Sequence, residues 1–242
     1  MRPESEIGDG LQAFNRVIDA KEVARVVGNL ARWVDPETFR LLPVWHPELA
    51  RKQPLYKTGW AHPQTNRGMP KFEGNTKANA ALSRALGVAK KARPDWTCCH
   101  IWGNDDTSFS KGESEVNDPR YYSCIANMVL LPTPLKAFTD AVPQMKAALR
   151  LAAFHLYGFL PAGQVLPSIE DAGDWLPDGW DQGDVTGIRW LNSKIEKSAR
   201  KRGQTIVREM REPVGEYPIA QVKQVVHYWS SITPNSILEG VS

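Results

Sequence analysis

One central stretch of the chain combines residue types that can do chemistry together. Cys99-His100-Ile101 precedes a long polar stretch, residues 103–120, that carries Asp105, Asp106 and Asp118. Asn127 opens the apolar run Met128-Val129-Leu130-Leu131, and Lys136 and Asp140 follow it. An imidazole of near-neutral pKa can take a proton from water. Carboxylates are the hard oxygen ligands that Mg²⁺ or Mn²⁺ accepts. An ammonium can meet a phosphate oxygen as a point charge. Phosphodiester hydrolysis draws on such groups: a base to activate water, and positive charge against the scissile phosphate and leaving oxygen.

The elements that must position these residues are two strands and a helix. Residues 96–102 are short, mostly apolar and bounded by Pro94-Asp95 and Gly103-Asn104, which predicts a strand. Residues 121–131 carry the strongest strand pattern in the chain, broken by Pro132-Thr133-Pro134. A short helix is expected over 135–139. An amphipathic helix is expected over 142–157, with Lys146 and Arg150 on its wet side and His155 within its apolar face. Upstream, 11–34 has nearly helical apolar spacing interrupted near Asp19, and Asp35-Pro36-Glu37 reads as a helix start. Residues 42–70 are rich in Pro, Trp, His and Gly and read as irregular; 75–91 reads as an Ala-rich helix. Downstream, 161–187 is a loop with the acidic cluster Glu170, Asp171, Asp174, Asp178, Asp181 and Asp184. Helices are expected over 187–210, interrupted at Gly203, and over 217–229. The predicted class is α+β, mostly helical with a small two-stranded core.

The order of His100, Asn127 and Lys136 on strand, strand and helix resembles the HNH, or ββα-metal, nuclease core. The resemblance covers residues 96–140. It implies that His100 is the general base and that Asn127 steadies the loop and orients the base through a backbone carbonyl. Lys136 stands where the family carries its last metal-binding His or Asn, giving an H-N-K version. Cys99 stands where a metal-binding Asp or Glu is common. Lys136 would then support the phosphate directly, and Asp105, Asp106, Asp118 or Asp140 would supply carboxylate to a divalent metal, Mg²⁺ or Mn²⁺, with Asp105-Asp106 first. The implied organisation is 1–70, an N-terminal helical region and irregular connection; 71–165, an HNH-like ββα core with flanking helices; and 166–242, a C-terminal basic helical region.

The 242 residues are 42% hydrophobic and 24% charged, with net charge +3, normal for a globular protein. No apolar run approaches the roughly 18 residues that span a bilayer, and the first residues hold no apolar signal-peptide core. Three cysteines without a CxxC exclude a zinc ribbon and a disulfide framework, and they read as small buried hydrophobes in a reducing, cytoplasmic setting. Most of the nine tryptophans are expected to pack inside.

Positive charge collects over 194–211, and Lys194, Lys197, Arg200, Lys201 and Arg202 are the candidate DNA contacts, positioning a backbone rather than reading sequence. The expected function is a metal-dependent DNA endonuclease with a restriction or phage-defence role; a homodimer would suit cutting of both strands. Each residue also has a plainer reading. His100 would be a strand-end histidine, Asn127 and Asp105-Asp106 turn formers, Lys136 a solvated helix lysine, and the basic segment a solvated face with internal Glu partners. Those readings lead to a non-catalytic nucleic-acid-binding or interaction protein on a degenerate ββα scaffold. A third reading is a different hydrolase with the 170–184 loop lining a pocket. His46, His62, His155 and His227 carry no assigned role, and His155 is expected in the core.

Overall fold

The computed structural model describes residues 10–51, 64–66, 69–71, 75–103, 114–183, 191–215, 217–234 and 236–239. The fold is α+β: helices packed around a short antiparallel strand pair.

The N-terminal periodicity resolves into α1 (Gly10–Val17) and α2 (Ala20–Leu30). Asp19 divides them, because its carboxylate accepts from the Lys21 amide at 2.9 Å and caps α2. Helix α2 stops short of residue 34 because Arg32 exchanges two backbone hydrogen bonds with Leu130, at 2.9 and 3.1 Å. Asp35 caps α3 (Pro36–Leu41) as its sequence predicts. The chain from 42 to 50 is irregular but fully buried, with Leu42, Val44 and Trp45 inaccessible to solvent. Strands β1 (Gln64–Asn66) and β2 (Met69–Lys71) pair antiparallel within the stretch expected to be irregular. Helix α4 (Thr76–Ala85) ends earlier than expected at Gly87, whose φ of +68° is the left-handed conformation glycine adopts freely.

Strand β3 (Trp96–His100) pairs antiparallel with β4 (Met128–Pro132), from Trp96 opposite Pro132 to His100 opposite Met128. Both are shorter than the sequence suggests. Residues 121–127 are mostly apolar and all buried, yet their backbone bonds go to turns and to the 43–45 segment: Tyr122 N to Asp118 O at 3.0 Å and Ile125 N to Pro43 O at 3.0 Å. Helices α5 (Lys136–Ala141) and α6 (Pro143–Tyr157) follow β4. Ser168 and Asp171 form a reciprocal cap on a short α7 (Ile169–Ala172), inside what reads as loop. Asn192 caps α8 (Ser193–Arg211), which runs through Gly203 without interruption, and α9 (Ile219–Ile232) follows.

One apolar cluster draws on all three stretches of the chain, from Val27 and Leu42 through Leu82 and Val129 to Ile206 and Trp229. Trp33, Trp45, Trp102, Trp180 and Trp229 are fully buried in it. Cys98, Cys99 and Cys124 are buried free thiols. His155 departs from expectation: it is exposed in the last turn of α6, where imidazole suits the helix C-terminus, while Met145, Leu149 and Ala152 take the core face. No helix among the described residues is long and apolar enough to cross a membrane.

Candidate functional site

His100 ends β3 with its side chain turned inward and only 8% of the residue exposed. Its Nε2 lies 2.9 Å from the Tyr122 carbonyl oxygen. A carbonyl only accepts, so the neutral ring carries its proton on Nε2 and its lone pair on Nδ1. Burial, and then the Arg51 cation, outweigh that carbonyl and bring the imidazolium pKa down to about 3. The ring is therefore neutral at neutral pH and a weak base.

Asn127 is fully buried beside it. Its Oδ1 accepts from the Trp102 amide at 2.7 Å; its Nδ2 donates to the Trp102 carbonyl at 2.9 Å and the Tyr121 carbonyl at 3.2 Å. One side chain thus fastens both flanks of the long connection between β3 and β4. His100, on Tyr122, fastens the next carbonyl along. Two cations from α6 close the strand end: Lys146 Nζ donates to the His100 carbonyl at 3.2 Å, and the Arg150 guanidinium lies 4.3 Å from the centre of the Trp102 ring.

Successive strand residues project to opposite faces. Cys98 and His100 share Arg51 as a charged neighbour. Cys99 instead meets α5, bonded to Thr139 and near the charges of Lys136, Asp140 and Lys146. The structure thus gathers Lys136 and Asp140 at Cys99, while the charged neighbours of the His100 ring are Arg51 and Lys146. Lys136 and Asp140 pair with each other one helical turn apart, both partly exposed. These groups do not fit a divalent metal. Burial pushes the Cys99 thiol up to about 11, so it stays protonated. Lys136 is a cation, and Asp140 is a single carboxylate that already has a partner. Among the described residues no group of three or more His, Cys, Asp or Glu is placed to hold a metal ion. Asp118 is held by Arg120, with Nη2 at 2.6 Å from Oδ2. Asp105 and Asp106 lie outside the described residues.

On α8, Lys194, Lys197 and Lys201 are exposed, and Arg200 is exposed and paired with Glu196 at 2.8 Å. Arg202 departs from the expected set. The helical period puts it beside the buried Ile195, Ala199 and Ile206, and its side chain is only 12% exposed. It donates to both Glu48 carboxylate oxygens at 2.7 and 2.8 Å, and to the Trp45 carbonyl at 2.7 Å. It joins α8 to the core and is no surface contact. His46 completes this centre, with Nδ1 3.1 Å from Glu48. Burial raises the Glu48 pKa, but His46 and Arg202 overcome it and leave the carboxylate below its ordinary value; burial lowers His46. The signal that marked the centre in sequence is His46-Pro47-Glu48: two ionisable residues inside an otherwise apolar 42–50.

No family model matches the chain, and no curated protein and no solved structure matches it either.

Proposed function

We propose that the chain binds nucleic acid on a ββα scaffold of HNH type whose metal-binding half has been replaced. The observation that carries this reading is the grouping on the α5 side of the strand pair. Where the resemblance calls for metal ligands, Cys99 faces an ammonium, Lys136, with Lys146 also in range. A phosphate would be met there by Lys136 and Lys146 in place of a metal, in competition with the Asp140 carboxylate that pairs with Lys136. His100 and Asn127 serve the scaffold, since their hydrogen bonds run to the backbone of residues 102, 121 and 122.

A second reading is endonuclease activity with His100 as general base, restrictive or defensive in role. One observation favours it: the Tyr122 carbonyl fixes the tautomer that leaves Nδ1 free to take a proton. A metal for that reaction, Mg²⁺ or Mn²⁺, would draw on Asp105 and Asp106.

Both readings meet in one experiment. The purified protein is incubated with plasmid DNA in EDTA, Mg²⁺ or Mn²⁺, beside His100→Ala and Lys136→Ala. The first reading expects a DNA complex in EDTA, weakened in Lys136→Ala, with no cutting in any metal. Metal-dependent nicking that His100→Ala abolishes would establish the second reading instead. Absence of any DNA complex would sink both.

A further inference from the structure

The cationic residues of α8 are arranged by the helical repeat. Lys197, Lys201, Arg208 and Arg211, with the neutral Gln204 between them, recur at alternating spacings of four and three, and all are exposed. That spacing puts them on one face. The stripe covers about 21 Å at 1.5 Å per residue, or about six steps of a nucleic-acid strand rising 3.4 Å per phosphate.

At its C-terminal end the stripe opens into a groove of about 460 Å³. Arg200, Gln204, Arg208 and Arg211 rim it, and Val207 and Ile237 line it with apolar surface. Gly203 brings Ile237 close: a Cβ there would lie 2.6 Å from Ile237 Cγ1. Glu212 is the one acidic residue among the described lining residues. Arg200 answers to Glu196. Arg208 and Arg211 have no side-chain partner among the described residues. The groove therefore offers two uncommitted guanidiniums beside a small apolar surface. A guanidinium forks onto phosphate oxygens; a sugar face suits an apolar surface.

We propose that this groove and stripe hold a nucleic-acid backbone, with Arg208 and Arg211 on consecutive phosphates and a sugar against Val207 and Ile237. The inference rests on the nucleic-acid reading above and moves the contact from the 194–202 half of α8 towards its C-terminal half. The contact is electrostatic and indifferent to sequence.

The test is fluorescence anisotropy with a labelled DNA duplex in EDTA across a salt series. Wild type is compared with Arg208→Gln/Arg211→Gln and with Lys90→Gln/Lys91→Gln, an equal charge change on an exposed turn elsewhere. The arginine variant is expected to bind about tenfold or more weakly, with the slope of log K against log salt reduced by about 2. The lysine variant should change little. Thermal melting checks that both remain folded. Equal losses in the two variants, or none in the arginine variant while wild type binds, would overturn the groove and leave the nucleic-acid reading standing. Displacement of DNA by polyglutamate at equal charge concentration would overturn the nucleic-acid occupant. A wild type that binds no DNA would remove the groove and the reading together.

Discussion

The end of β3 and the length of α8 both concentrate polar side chains, and they direct them oppositely. At the strand end, Asn127 and His100 turn inward onto backbone groups of residues 102, 121 and 122. Along α8 the cations point to water, apart from Arg202. The difference follows from the backbone. A chain leaving a strand into a buried turn has amides and carbonyls that need partners, and nearby polar side chains supply them. A helix satisfies its own interior backbone, so its side chains stay available to outside molecules. Arg202 behaves like the first region because it falls on the buried face, where Glu48, with Glu209 beyond it at 3.6 Å, makes its charge tolerable.

The contrast breaks or sharpens on four measurements. The largest effect is expected from Arg202→Ala, which strands the buried Glu48 carboxylate. Urea denaturation should show a loss of about 3–5 kcal/mol, most of it recovered when Glu48→Met accompanies Arg202→Met; a loss like that of Lys201→Ala would place Arg202 with the exposed set. Asn127→Ala comes next, at about 3 kcal/mol by the same measurement, since it leaves the Trp102 amide and two carbonyls unsatisfied. Third is acid. His100 is harder to protonate folded, about 3, than unfolded, about 6.5, so stability is full above about pH 6.5 and falls as pH drops towards 3. About 2–3 kcal/mol should be gone by pH 4.5, with His46 acting in the same direction. His100→Gln should flatten that part of the curve, and an unchanged slope would show that the ring is not buried as described. Smallest is the Lys136–Asp140 pair. A double-mutant cycle is expected to give a coupling of about 0.3–0.5 kcal/mol, and a value above about 2 would mean that the pair is desolvated.

Much of the scaffold was legible in the sequence, and for identifiable reasons. Helix α6 and the start of α3 follow local rules, apolar period and an Asp-Pro cap, that need no tertiary information. The apolar pattern implies the strand pair but overstates the length of both strands. The sequence of 121–127 is apolar enough for a strand, and only its partners at 43–45 and 118 show that its hydrogen bonds go elsewhere. Gly203 read as an interruption because helix propensity disfavours glycine; its use lies in the approach of Ile237, a long-range contact. The residues of the candidate site were legible as a group, but their sides were not. Which strand face meets α5 depends on how the helix docks, and Cys99 rather than His100 took that place. In sequence Arg202 looks like its basic neighbours, because the carboxylate it grips with two hydrogen bonds, Glu48, lies far away along the chain.

The Asn127 fastening has one more consequence, for how this molecule could change. By tying Trp102 to Tyr121, it separates the length of the intervening connection from the integrity of the strand pair. Loop-closure entropy grows only as the logarithm of length, about 0.6 kcal/mol for each doubling. An insertion between Gly103 and Ser114 leaves the Val116, Asp118 and Asn127 contacts in place, so the scaffold should stand. That makes the connection a place where new recognition can be grafted, with a single asparagine as the fixed point.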